Sequence, residues 1–390
     1  NLTLNALVIT TFTTPVTVAN IVTINGTLVS SGGDAQRIFM VNGVDSQTPI
    51  VLGGAADVDS SGYFFLRYEP ETVPLTVNVP GGLFQHIAIT GGSLGFTVTA
   101  NLQGNLSTPL CGVFNACAIL IGSLSTTLNP GGWHTFNTNN FSITAGGTLW
   151  LGDGGNTGVT FNAGSSVIEA RGFNPTGNGA IVNLQTSTLT IHPSSIDDPI
   201  AFYTTDSATV NADSANLTIH GQFRLGRGGG GAFISASSSV WTITDNEGTV
   251  TGFGAPGECN IQQATNYIIF STSTWTCEGR WTNNSTSASW DAGTGSMTLN
   301  AGRTGTLNTD HYFGCTSLGE DEFYNLTIRT TNIGTPATIT MLNDAPGYGC
   351  IDIVNHLTVS DDVSTTTLVT NGLSINAALL PIGSGGIITA

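Results

Sequence analysis

The sequence predicts an all-β fold, an N-terminal β-sandwich followed by a parallel β-solenoid, and three observations lead to it. Charged residues make up only 8% of 390 positions, so turns and surfaces must be built from Gly, Asn, Ser and Thr. Thr, Val, Ile and aromatics suit a pleated surface, whereas the strong helix formers Lys, Glu, Gln and Arg are scarce. No stretch sets apolar residues at helical spacing. Finally, one short phrase keeps returning: NLTI at Asn216–Ile219 and Asn325–Ile328, with STLTI at Ser187–Ile191, GSMTL at Gly295–Leu299, NHLTV at Asn355–Val359 and NGLSI at Asn371–Ile375.

Taken in chain order, residues 1–20 form an extended, uncharged, β-prone segment. It reads as the first strand of the sandwich module, as a rung of something upstream, or as a donor strand that completes a neighbouring subunit's sheet by edge addition. Residues 21–80 alternate apolar and polar positions in ANIVTINGTLVS, QRIFMVNG, YFFLRY and VPLTVNV, with turn signals at Asn25-Gly26, Asn42-Gly43 and Asp59-Ser60-Ser61-Gly62. The phrase DVDSSGYFFLRYEPETVPLTVNVP resembles the last hairpin of immunoglobulin-like or transthyretin-like modules of secreted surface proteins. That resemblance implies an Ig-like β-sandwich over these sixty or so residues.

After Pro80-Gly81-Gly82, residues 81–390 change to strands of three to six residues separated by Gly, Asn, Asp and Ser. From Leu189 the phrase recurs at Leu217, Trp241, Met297, Leu326 and Leu357, at gaps of 24 to 31 residues apart from the long one before Met297. Side chains alternate along a strand, so Leu217 and Ile219 face one way and Thr218 the other. One such strand cannot bury its apolar pair alone, and repeating it lets stacked coils build a shared core. Each buried Leu or Ile contributes about 1.5–3 kcal/mol. This part resembles the right-handed parallel β-helix regions of secreted adhesins and surface-appendage proteins of archaea and bacteria, most clearly in FYNLTIRTTNIGTPATITMLND, CIDIVNHLTVSDD and TTTLVTNGLSI. The competing architecture is tandem antiparallel sandwiches, because Asn371-Gly372 between TTTLV and LSI is also a strong hairpin signal.

Composition constrains partners. All eight basic residues are Arg against 25 acidic ones, a net charge of −17, which repels nucleic acid. The longest apolar run, Leu110–Gly122, is interrupted by Asn115 and too short to span a bilayer. The chain begins at Asn1 without a basic n-region, so any signal peptide is expected to have been removed. Six cysteines fall as three sequence-local pairs, Cys111 with Cys117, Cys259 with Cys277 and Cys315 with Cys350. They suggest disulfides and an oxidising compartment, although six cysteines permit fifteen pairings. N-glycosylation acceptor sequences occur at Asn1, Asn25, Asn105, Asn140, Asn216, Asn283, Asn284 and Asn325.

No catalytic residue stands out. DVDSSG sets Asp57, Asp59 and Ser61 at alternate positions before Gly62, the first half of a calcium loop. Its twelfth position is Tyr68 rather than a closing Glu, and a plain turn gives the same pattern. Acidic clusters at Asp197-Asp198, Glu320-Asp321-Glu322 and Asp361-Asp362 could recruit calcium between subunits, and each also reads as a solvated turn. Polygalacturonase-like words, an NTD at Asn308–Asp310 and the Asp197-Asp198 pair, stand in the wrong order and lack a Gly-His-Gly. Pectate-lyase chemistry needs clustered Arg or Lys, which eight scattered arginines do not supply. GRGGGGAF at Gly226–Phe233 lacks the Lys-Ser/Thr of a phosphate loop and reads as a turn. Of the six tryptophans, Trp241 and Trp275 fall in core positions, Trp281 and Trp290 are the surface candidates for stacking glycans, and Trp133 and Trp150 carry no assignment.

The expected function is that of a non-enzymatic, secreted structural subunit of a filament, sheath or adhesive cell-surface appendage, with copies of itself as principal partner and no cofactor beyond the calcium that the DVDSSG pattern would take. The alternative is a glycan-binding or glycan-cleaving β-helix protein.

Overall fold

The computed structural model describes residues 2–5, 9–12, 16–18, 21–30, 39–41, 50–52, 57–60, 64–67, 76–84, 87–90, 98–109, 118–121, 134–152, 158–176, 179–192, 200–205, 207–227, 231–244, 259–261, 266–278, 281–283, 290–300, 309–312, 322–329, 337–342, 350–359, 366–370, 374–380, 382 and 386–389. Those residues contain strands, turns and no helix. The chain divides into two compact units, Asn1–Leu189 and Thr190–Ala390.

In the first unit, every described ladder is parallel. Leu2–Leu4, Val22–Ile24 and Ile50–Leu52 stack side by side. Ile9–Phe12, Thr27–Ser30 and Asp57–Ser60 form a second ladder, and Val16–Val18 pairs with Phe39–Val41. Phe64–Arg67 then joins Ile87–Thr90, which joins Ile119–Ile121. The Ig-like sandwich expected at 21–80 is therefore not confirmed, because such a sandwich is built from antiparallel strands. The turn signals misled for a physical reason: Asn25-Gly26 does separate two strands, but Val22–Ile24 and Thr27–Ser30 belong to different ladders. The dipeptide makes a corner between sheets, not a hairpin.

Further along the first unit, Thr76–Val79, Val98–Leu102, His134–Asn137, Val159–Asn162 and Ile181–Asn183 form a five-strand parallel ladder. Its inward column runs Val77, Ala100, Phe136, Phe161, Val182 in register, all buried. Phe136 and Phe161 stack with centroids 5.9 Å apart and planes 4° from parallel.

The second unit cycles through three parallel ladders. One runs Asn216–His220, Val240–Thr244, Thr274–Glu278, Ser296–Asn300, Glu322–Arg329, Cys350–Val359 and Ser374–Leu379. Another runs Ile200–Thr205, Gln222–Arg227, Cys259–Ile261, Trp281–Asn283, Thr309–Tyr312, Ala337–Leu342, Thr366–Val369 and Gly386–Thr389. Thr209–Asn211, Phe233–Ser235, Tyr267–Ile269 and Trp290–Asp291 form the third. Parallel neighbours joined by long excursions are the arrangement a solenoid requires, and no described pairing is antiparallel, as tandem sandwiches would need.

The repeated phrase maps onto the first of these ladders. Leu217, Trp241, Trp275, Met297, Leu326 and Leu357 are register partners in one inward column, and Ile219, Ile243, Cys277, Leu299, Ile328 and Val359 form the next. All twelve are buried. Trp275 is the rung that the sequence leaves as a gap before Met297. Trp241 and Trp275 stack with centroids 4.3 Å apart and planes 5° from parallel. Their indole N–H groups donate to Ser239 Oγ at 2.7 Å and Ser273 Oγ at 2.9 Å, so neither buried donor is left unpaired.

Candidate functional site

The strongest organised features are columns of outward side chains created by the register. In the first unit Asn78, Asn101, Asn137, Asn162 and Asn183 occupy one column. Asn137 Nδ2 donates to Asn101 Oδ1, Asn162 Nδ2 to Asn137 Oδ1, and Asn183 Nδ2 to Asn162 Oδ1, each at 2.8 Å. Gln103 Nε2 donates to Asn78 Oδ1 at 3.1 Å. Amides polarised head to tail in this way strengthen one another. In the second unit the corresponding device is a column of threonines, Thr218, Thr242, Thr276, Thr298, Thr327 and Thr358, each half-buried.

Between strands the chain turns on a recurring four-residue corner. Ser166 N donates to Ala163 O, Ser187 N to Leu184 O, Ala215 N to Ala212 O, Ser239 N to Ala236 O and Ser273 N to Phe270 O, at 2.8 to 3.1 Å. The second residue of each corner lies at positive φ: Gly164 61°, Gln185 54°, Asp213 46°, Ser237 50° and Ser271 54°. That conformation costs a non-glycine residue about 1–2 kcal/mol. Hydrogen bonds between successive corners offset it, with Ser238 N donating to Asp213 O at 2.7 Å and Thr272 N to Ser237 O at 2.9 Å.

Asn266 is a further organising residue. It is 1% exposed, accepts from Ala232 N at 2.8 Å through Oδ1 and donates to Leu225 O at 2.9 Å through Nδ2. It thereby ties together the two ends of the glycine-rich 226–233 stretch. Gly226 sits against this amide at φ 77°, and a Cβ there would collide with the Asn266 side chain. Sequence reasoning missed Asn266, because a lone Asn before an aliphatic strand carries no periodic signal.

The sequence-predicted sites are placed as follows. Asp57 and Asp59 lie in the strand Asp57–Ser60, and Ser61 is outside the described residues, as are Asp197, Asp198, Glu320, Asp321, Asp361 and Asp362. Glu322 begins a strand. Among the described residues no group of three or more His, Cys, Asp or Glu could hold a metal ion. Asn308 is outside them, and Asp310 lies in the strand Thr309–Tyr312. Cys111, Cys117 and Cys315 also lie outside the described residues. Cys350 opens the strand Cys350–Val359, while Cys259 and Cys277 are buried in two different ladders, opposite Phe223 and Ile243 respectively.

Of the acceptor asparagines, Asn1 and Asn284 are outside the described residues, Asn283 ends a strand, and Asn25 is half-buried. Asn105 and Asn140 are exposed, each accepting a backbone hydrogen bond, from Ser142 and Ser165. Asn325 is half-buried between Ser296, to which it donates, and Asn355, from which it accepts. Asn216 is exposed at the head of its strand. Trp241 and Trp275 are core residues, Trp281 and Trp290 lie in strands, Trp150 is half-buried, and Trp133 is outside the described residues.

Titratable groups are sparse. His134 is 7% exposed between Val98 and Val159, and burial lowers its pKa to about 4. His192 and His220 stack with centroids 4.6 Å apart, and His220 Nδ1 is hydrogen-bonded to Thr244 Oγ1 at 3.2 Å. Among the described residues the arrangement offers ladders of neutral hydrogen-bonding groups. The chain matches no protein-family model, and comparison with characterised proteins and with solved structures gives no match either.

Proposed function

We propose that the chain is a β-solenoid structural subunit of an extracellular filament, sheath or adhesive cell-surface appendage, self-assembling through strand edges. The observation that carries this reading is the column from Leu217 to Leu357. Six parallel rungs in one register bury a continuous apolar seam, and such a stack is a stiff element whose stability grows with each neighbour added. The outward columns Asn78–Asn183 and Thr218–Thr358 carry Asn and Thr instead of charged side chains, which suits close lateral approach.

Strand edges supply the contact. Among the described residues Leu2–Leu4 is the end strand of its ladder, with Val22–Ile24 beside it, and an edge of this kind accepts a further strand unless it is covered. A second copy adding a strand there would make a heterologous contact, which propagates as an open filament when it does not close into a ring. The even cysteine count supports an oxidising, extracellular setting.

Negative-stain microscopy of the native material tests this reading. Ordered fibres are expected, and dispersed particles that cleave polysaccharide would overturn it. Deleting residues 1–18 is expected to abolish fibres while leaving the β circular dichroism of the monomer intact. Fibres that persist in the deletion would exclude edge donation by that segment.

A further inference from the structure

The fold separates the N-glycosylation acceptor sequences by what each asparagine amide does. Asn105 and Asn140 are exposed. Asn105 Oδ1 accepts from Ser142 N at 3.0 Å, and Asn140 Oδ1 accepts from Ser165 N at 2.8 Å. In both, the amide oxygen is tied to the next coil, while Nδ2 has no hydrogen-bond partner among the described residues. Gly164 lies against Asn140 at φ 61°, and a Cβ there would strike the Asn140 oxygen, so the glycine keeps this arrangement open. Asn216 is exposed at the head of Asn216–His220, level with Val240 in the ladder, and its side chain makes no hydrogen bond among the described residues.

Asn325 is the contrary case. It is half-buried, its Nδ2 donates to Ser296 Oγ at 3.2 Å, and its Oδ1 accepts from Asn355 Nδ2 at 2.9 Å. The amide is therefore engaged on both sides within its column, and a bulky group on the nitrogen would have to displace one of those neighbours.

We propose that Asn105, Asn140 and Asn216 carry N-linked glycans and that Asn325 carries none. The proposal rests on the extracellular placement given above, because the sugar is transferred to chains being exported. In the transfer, Asn Nδ2 attacks the anomeric carbon of a lipid-phosphate-linked oligosaccharide. A C–N bond forms, the C–O bond to the phosphate breaks, the lipid phosphate leaves with the electron pair, and the amide gives one proton to a base of the transferase. The product keeps its carbonyl oxygen, so Ser142 N and Ser165 N retain their acceptors. The middle residues Leu106, Leu217 and Leu326 are buried in the folded chain. Transfer thus precedes closure of each coil, and folding then accommodates only those modified asparagines whose Nδ2 faces solvent.

Glycopeptide mass spectrometry of the native protein, cut with a non-specific protease and fragmented by electron transfer, tests the assignment. Hexose or hexosamine mass is expected on Asn105, Asn140 and Asn216, with unmodified peptide at Asn325. Ser107→Ala, Ser142→Ala and Thr218→Val each abolish one acceptor sequence and leave its asparagine in place. Made in the native host, each is expected to lose one glycan from the intact mass with unchanged circular dichroism, whereas Ser142→Thr, which keeps the acceptor sequence, retains it. Unmodified asparagine at any of the three positions, or sugar on Asn325 at equal occupancy, would overturn the proposal. Fibres built from sugar-free chains would do so while leaving the filament reading intact, and glycans at the three positions on dispersed particles would support the assignment without that reading.

Discussion

The two units hold their outward columns together by different chemistry. In Asn1–Leu189 an asparagine column links rung to rung through side-chain amides at 2.8 Å. In Thr190–Ala390 a threonine column occupies the corresponding role, and the weight falls on the inward side, where Trp241 and Trp275 stack between Leu217 and Met297. Amides are directional and chain head to tail, so each depends on both neighbours. Threonines contribute through β-branched packing on a pleated surface, which tolerates a missing member. Both units bury apolar inward columns, and they differ outside them, where the first carries a hydrogen-bonded amide chain and the second a column of threonines.

The largest expected effect lies in the apolar seam. Trp275→Ala removes a fully buried indole, its stack on Trp241 and the partner of Ser273 Oγ, and a loss of about 3–5 kcal/mol is expected. Phe161→Ala in the first unit removes the stack on Phe136 and belongs to the same range. Hydrogen exchange by mass spectrometry, read on peptides from each unit, is expected to show lost protection around the altered rung. Protection left unchanged at Val240–Thr244 in Trp275→Ala would mean that the indole stack contributes little.

Acid separates the units next. His134 is held neutral by burial, with a pKa of about 4 against about 6.5 unfolded. Between these values the unfolded chain binds a proton that the folded chain refuses, so stability falls as pH drops through 6.5 and levels off below about 4. The full difference is about 3 kcal/mol. His134→Val, matching its register neighbours Val98 and Val159, is expected to remove this part of the acid sensitivity. Urea titrations at pH 7, 5 and 4 measure it, and equal slopes in the two proteins would place the proton elsewhere.

Much of the second unit was legible in the sequence because its repeat is written in apolar residues. Leu217, Ile219, Leu326 and Ile328 announce an in-out-in strand, and the structure buries all four. Trp275 was harder to see, since Cys277 stands where the other rungs carry an aliphatic residue. The first unit has a repeat too, Thr76-Val77-Asn78, Thr99-Ala100-Asn101, Thr135-Phe136-Asn137 and Thr160-Phe161-Asn162. Its fixed positions are polar, however, and its apolar one runs from Ala to Phe, so hydrophobic pattern alone passes over it. The Ig-like reading at 21–80 is not confirmed, since alternation and turn residues specify strands and corners without specifying which strand lies alongside which. The corners were hidden for a related reason: Gln185, Asp213, Ser237 and Ser271 share a positive φ but no single residue type.

The smallest effect tests the contrast between the columns most directly. Asn162→Ala leaves Asn183 Nδ2 without its acceptor and Asn137 Oδ1 without its donor in a half-buried setting, at an expected cost of about 1–3 kcal/mol. Thr298→Ala, between Thr276 and Thr327, removes one cross-strand methyl and hydroxyl contact on each side and is expected to cost about 0.2–1 kcal/mol. Exchange chemistry sharpens the point. Asn162→Thr restores β-branched packing but neither amide bond, so it stays close to the alanine variant if the amide chain holds the first unit's column together. Chemical denaturation of the three variants decides the matter: an Asn162→Thr protein as stable as the parent would show that shape, and not hydrogen bonding, is what this column requires.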